Sequence, residues 1–219
     1  MRANKFMFAT GAAVALAAAM TVPSFAQDKT ASKDKPASGQ PSEQEMMNAM
    51  MEMSKIGDNH KLLGRGVGEW TYKLKSWMSP DPSAPPTESS GTSTVKPLLG
   101  GRYFQGEHAG KFQMPGPDGK MMDMDFKGTA IEGYDNAKKK FVSTWIDNMS
   151  TGIMMSEGTY DAGTKTFTFN AEFEMMPGMK TKVRQLLKIT DDDHKTMEFF
   201  EDRGGTEVKT MEIAYTRKK

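Results

Sequence analysis

The sequence predicts an all-β fold, a single antiparallel up-and-down β-barrel of about ten strands preceded by a short N-terminal helical segment. Three observations predict it. From Trp70 to Arg217 polar and apolar residues alternate with period two, the spacing that sends successive side chains to opposite faces of a strand. The links between these stretches are short and carry turn chemistry, as in Asp135-Asn136, Asp161-Ala162-Gly163, Asp191-Asp192-Asp193 and Arg203-Gly204-Gly205, so consecutive strands pair antiparallel. No link is long enough for a helical crossover, which excludes a βαβ architecture.

The elements follow in chain order. Residues 1–26 read as a signal peptide: Arg2 and Lys5 form a basic start, an alanine-rich apolar run follows, and Ser24-Phe25-Ala26 places small residues where a signal peptidase cuts. Cleavage after Ala26 is expected to deliver the chain to the periplasm or outside the cell with no stable membrane anchor. Residues 27–42 are a polar, proline-containing linker that cannot bury enough surface to offset its ordering entropy. Residues 43–57 form an amphipathic helix with Met46, Met47, Met50, Met51 and Met53 at helical spacing and Gly57 as its stop. A second helical turn at residues 60–63 leads into the barrel domain, residues 58–219, and both helices are expected to close one barrel mouth.

Strands are expected at 69–78, 91–97, 102–111, 121–133, 140–147, 152–160, 164–175, 180–190, 195–202 and 206–217. In the clearest, Phe167, Phe169, Ala171, Phe173 and Met175 share one face, and Thr166, Thr168, Asn170, Glu172 and Glu174 the other. Residues 79–90 are too proline-rich for ladder pairing, and 114–119 read as a long hairpin tip.

Several short motifs together carry a family resemblance. His60-Lys61-Leu62-Leu63, Gly68-Glu69-Trp70, Trp77 with Pro80, Leu99-Gly100-Gly101-Arg102-Tyr103, Gly133-Tyr134-Asp135, Trp145-Ile146-Asp147, Gly158 and Tyr215-Thr216-Arg217 resemble the exported bacterial family catalogued as domain of unknown function 1579. The resemblance spans residues 58–217. It implies a calycin-like barrel, related to lipocalins and fatty-acid-binding proteins, with Gly68 and Trp70 on the first strand and Arg217 on the last. In that pattern Trp70 packs beneath Arg217 as an aromatic face under a cation. The family carries no activity to transfer.

Composition narrows the function classes. There is no cysteine, so disulfides, thiol nucleophiles and thiolate metal sites are absent. The chain has 29 basic and 28 acidic residues, and loss of the signal removes two basic ones. The charges alternate along the strands rather than forming a basic stripe, so nucleic acid is not an expected partner. No cofactor motif is legible.

The leading expectation is a barrel that binds a small hydrophobic or amphipathic molecule, with the methionine helix as a lid or a surface for a protein partner. Arg102, His108, Tyr134, Trp145, Asp147 and Arg184 are the candidate ligand-binding groups, being charged or aromatic residues on strands among apolar neighbours. The plain alternative makes the aromatics core and the charges paired or exposed. A second reading gives Met47, Met50, Met51 and Met53 a soft metal such as Cu(I) or Ag(I), since thioethers suit such ions; of the 21 methionines, 18 follow Ala26. A third places an isomerase- or lyase-type enzyme inside the barrel, although His60, His108 and His194 are scattered and no Gly-x-Ser-x-Gly elbow or phosphate loop is present.

Overall fold

The ladder closes on itself. The structure, a computed structural model, describes residues 41–77 and 83–219. Its strands are β1 (Gly68–Ser76), β2 (Thr87–Leu98), β3 (Tyr103–Pro115), β4 (Met121–Asp135), β5 (Lys140–Asp147), β6 (Met154–Asp161), β7 (Thr166–Met176), β8 (Met179–Ile189), β9 (His194–Arg203) and β10 (Thr206–Arg217). Each pairs antiparallel with its sequence neighbours, and β10 pairs with β1 to complete a closed ten-stranded barrel. The predicted signal peptide, residues 27–40 of the linker and Pro80 of the Trp77 motif lie outside the described residues.

Two expected boundaries are corrected by backbone chemistry. Residues 87–90 were expected to stay unpaired, yet β2 begins at Thr87, opposite Ser76, and Ser90 pairs with Lys73. The proline run ends at Pro86, and every residue after it until Pro97 has an N–H to donate to the ladder. The hairpin tip at 114–119 is likewise shorter than expected, because β3 runs to Pro115, opposite Met121. A proline at a strand's last position removes no internal ladder bond.

The helices behave differently from each other. The helix α2 (Asp58–Gly64) closes one barrel end, burying Leu63 against Phe104, Phe141, Phe167 and Phe169. His60 on the same helix is also buried, its Nδ1 accepting the Gly57 N–H at 3.1 Å and its ring meeting Tyr134 edge-on at 5.9 Å. The helix α1 (Glu43–Met53) starts with a reciprocal capping box between Ser42 and Glu45, but none of its residues is buried. This corrects the expectation that both helices close a mouth. Hydrogen bonds from Asn136 and Arg102 on the rim to the carbonyls of Met53, Ser54 and Lys55 hold the C-terminal end of α1.

Burial inside the barrel is graded along its axis. Near α2 the inward side chains are sealed: Trp70, Phe104, Phe141, Phe167, Phe169 and Tyr215 are each 6% exposed or less. Toward the opposite end the inward residues Leu74, Phe112, Met124, Phe126, Phe173, Phe199 and Met211 are only half-buried. One end is therefore plugged by rings and the other is an apolar mouth.

The plugged end carries a lock between the first and last strands. Trp70 and Arg217 are register partners in the closing pair, and the Arg217 guanidinium lies 4.2 Å over the Trp70 ring. The same guanidinium donates to the carbonyls of Val67 at 2.6 Å, Arg65 at 2.8 Å and Asp192 at 2.8 Å. Trp70 Nε1 donates to Gly66 at 2.9 Å. Gly68 sits beneath with φ +133, and a Cβ there would lie 2.6 Å from an Arg217 nitrogen, so only glycine fits.

Replacing Arg217 by Met leaves three carbonyls without their cationic donor and is expected to cost about 3 kcal/mol. For a domain of this size that lowers Tm by roughly 6–12 °C. Thermal denaturation of Arg217→Met and Arg217→Lys checks this, with lysine restoring only part because it lacks the planar fork; an unchanged Tm in Arg217→Met contradicts it.

Candidate functional site

The barrel floor, just inside the plug, holds polar groups that make no hydrogen bond to any described residue. Period-two geometry turns Glu132 on β4 inward beside Phe104 and Ser143, and Lys195 on β9 inward beside Tyr215. β4 and β9 stand on opposite sides of the ring, with equal numbers of strands between them either way. Glu132 and Lys195 thus face each other across the lumen. Their charges attract, but no ion pair within 4 Å joins them.

His108 on β3 completes the group. Its ring lies 5.2 Å from Trp145, 6.4 Å from Tyr215 and 6.5 Å from Tyr72. Lys195 Nζ stands 4.4 Å over Trp70 and 5.1 Å over Tyr215, so one tryptophan carries two cations. Glycines opposite these rings make the arrangement possible. A Cβ on Gly91 or Gly110 would come within 2.4 and 2.5 Å of the Tyr72 hydroxyl, and one on Gly128 within 2.3 Å of the Trp145 ring. The rings therefore lie against the wall rather than across the lumen.

Burial sets the protonation of these groups. It pushes the Glu132 carboxyl up against the pull of Lys195, and the Lys195 amine down, with Glu132 opposing and Arg217 reinforcing. It brings the His108 imidazole down to about 4, Lys195 adding to the effect, and raises the Tyr215 phenol. No described residue makes a hydrogen bond to any of these four side chains. Yet no side-chain nitrogen or oxygen among the described residues is both sealed and unpartnered. The polar atoms of Glu132, Lys195, His108 and Tyr215 therefore border accessible space, where water or a guest can satisfy them.

The six sequence candidates divide among four places. His108 and Trp145 line the lumen. Tyr134 points inward but belongs to the plug, packed on Phe141 at 4.9 Å and on His60. Asp147 lies at the open rim, where it accepts Trp145 Nε1 at 2.8 Å and the N–H groups of Met149 and Ser150 at 2.9 and 3.0 Å, which makes it a turn-forming carboxylate. Arg102 and Arg184 are outside, correcting their placement on the inner face. Arg102 sits in the β2–β3 turn and donates to Leu99 and Ser54. Arg184 has outward parity, forks onto Glu207 and covers Phe200 at 4.3 Å. It borders an outer groove of about 900 Å³ that also involves Tyr103, Ile131, Val142 and Met155.

Glu132, Lys195, Tyr72 and Tyr215 were missed. Their parity was the available signal: Lys195 alternates in phase with Met197 and Phe199, and Glu132 with Ala130 and Tyr134. Among the described residues no group of three or more His, Asp or Glu side chains is placed to hold a metal ion, and no helix is long and apolar enough to cross a membrane.

A closed antiparallel barrel with one plugged end and a polar floor defines the class of protein. The chain belongs to the family described as protein of unknown function DUF1579, whose sequence profile matches residues 55–217. No curated protein matches it in sequence. Among solved structures it is similar to a protein of unknown function from the DUF3598 family of Nostoc punctiforme, at 7% identity over 74% of this chain and 100% of that one, with a TM-score of 0.24.

A folded pKa of about 4 for His108 lies below the unfolded value near 6.5, so between these values the folded state holds fewer protons. The stability associated with neutral His108 is complete above about pH 6.5 and is lost as pH falls toward 4, roughly 3 kcal/mol in all. Urea denaturation across this window is expected to show a steeper acid limb for the wild type than for His108→Phe. Equal limbs, or an NMR titration of His108 near 6.5, contradict the buried neutral imidazole.

Proposed function

We propose that this protein is a calycin-like carrier that holds a small amphipathic molecule in its barrel, polar end down and apolar end toward the mouth. The observation that carries this reading is the floor of Glu132, Lys195, His108 and Tyr215, whose polar atoms make no hydrogen bond to a described residue and border accessible space, beneath a half-buried apolar upper lumen. Buried polar groups without protein partners are costly unless something else meets them. A guest with a hydrogen-bonding head satisfies the floor, and its apolar body covers Leu74, Phe112, Phe126, Phe173 and Phe199.

The proposal includes export. Residues 1–26 read as a cleaved signal, placing the mature chain from Gln27 onward in the periplasm or outside the cell. A cysteine-free barrel suits that oxidising space.

Native mass spectrometry of protein purified from its own source without refolding tests the carrier reading. A retained organic mass is expected, released on denaturation, and its retention is expected to fall in Lys195→Met and Glu132→Gln at unchanged far-UV circular dichroism. Protein that emerges without an organic mass, and binds no 1-anilinonaphthalene-8-sulfonate in the folded state, overturns it.

A further inference from the structure

No methionine of α1 is part of a core. Met46, Met47, Met50, Met51 and Met53 are 48–64% exposed, and no residue of the helix is buried. Fully burying a methionine side chain is worth about 1.5–3 kcal/mol, and here roughly half or more of each side chain stays in solvent. Methionine-rich cores are common because the side chain fills irregular gaps; a methionine-rich helix with no core beneath it needs another explanation.

We propose that this face of α1 is a binding site for one soft monovalent cation of the Cu(I) or Ag(I) class, centred on Met50. The proposal is independent of the lumen and its guest. Met46, Met47 and Met53 stand at i−4, i−3 and i+3 from Met50, and Met51 is at i+4 from Met47. Neighbours at these spacings have Cβ atoms about 5–6 Å apart, and the three rotatable bonds of each side chain let their sulfurs converge. Thioethers are soft ligands that select Cu(I) over harder ions.

Three further features fit a cation. The helix carries Glu43, Glu45 and Glu52 and no basic residue; Lys55 beyond its end is already paired with Glu52. The methionines are displayed on an ordered element, since the Ser42–Glu45 capping box holds one end. Asn136 Nδ2 binds the carbonyls of Met53 at 2.9 Å and Lys55 at 2.8 Å at the other, with Arg102 on Ser54 at 3.3 Å. The nearby imidazole of His60 is buried with Nδ1 accepting the Gly57 N–H. The site is thus built of thioethers alone, a donor set that does not suit Zn(II).

The test titrates the full chain with Ag(I) in chloride-free buffer, and with Cu(I) anaerobically against a chromophoric chelator. Methionine ε-methyl NMR is the readout. One equivalent is expected to bind and to shift the methyls of Met46, Met47, Met50 and Met53, while Zn(II) shifts none. Met50→Leu removes no buried contact, keeps helix propensity, and is expected to weaken binding about tenfold or more, a loss of 1.4 kcal/mol. Met121→Leu with Met122→Leu, at the far end of the barrel, is expected to leave affinity unchanged. Absence of Ag(I) binding, or equal affinity in Met50→Leu, overturns the proposal. So does a metal-free dimer whose contact shields these methyls, since the face is then an interface between copies.

Discussion

The structure depends on the joint between its first and last strands. A meander of hairpins forms from neighbour to neighbour, but closure brings β1 to β10 across nearly the whole domain and must offset the entropy of that loop. Arg217 concentrates the means in one side chain. Its guanidinium covers Trp70, binds three carbonyls and reaches both the strand preceding segment at Arg65–Val67 and the β8–β9 turn at Asp192. That contact ties α2, β1, β9 and β10 together at the plugged end, so the lumen is sealed on one side.

Sealing one end gives the interior its direction. Rings from β3, β5 and β7 and Leu63 of α2 fill the bottom, and a shelf of titratable groups sits on them. Above the shelf the wall is apolar and increasingly accessible. Glycines on β2, β3 and β4 let Tyr72 and Trp145 lie flat on the wall, which keeps bulky side chains from spanning the barrel. The same small-for-large exchange appears outside, where the Tyr103 ring covers Gly133 at a distance that a Cβ would violate.

Much of this was legible in the residues and some was not. Alternation over strands such as β7, with short turns joining them, pointed to an antiparallel barrel, because side chains two apart share a face and short links pair neighbours. The Trp70–Arg217 contact was anticipated from the family resemblance, and the structure shows it at 4.2 Å. The site was harder. The structure turns His108 and Trp145 into the lumen, whereas Arg184 faces outward, out of phase with Val183 and Gln185, which are buried. Glu132 and Lys195 were overlooked because a charge on a strand is usually a solvated one. Only closure, which puts β4 opposite β9, makes them a pair. α1 was misread for a related reason: amphipathic spacing reports that a helix has an apolar face, not that a surface lies against it.

The carrier reading needs the floor of the lumen to be an accessible polar chamber. High-resolution crystallography of the protein isolated without refolding tests it most directly, at the space between Glu132, Lys195, His108 and Tyr215. Ordered waters or the polar end of a bound molecule are expected within hydrogen-bond distance of two or more of these side chains. A dry floor, with Glu132 and Lys195 collapsed into a direct ion pair and rings packed over them, would contradict it.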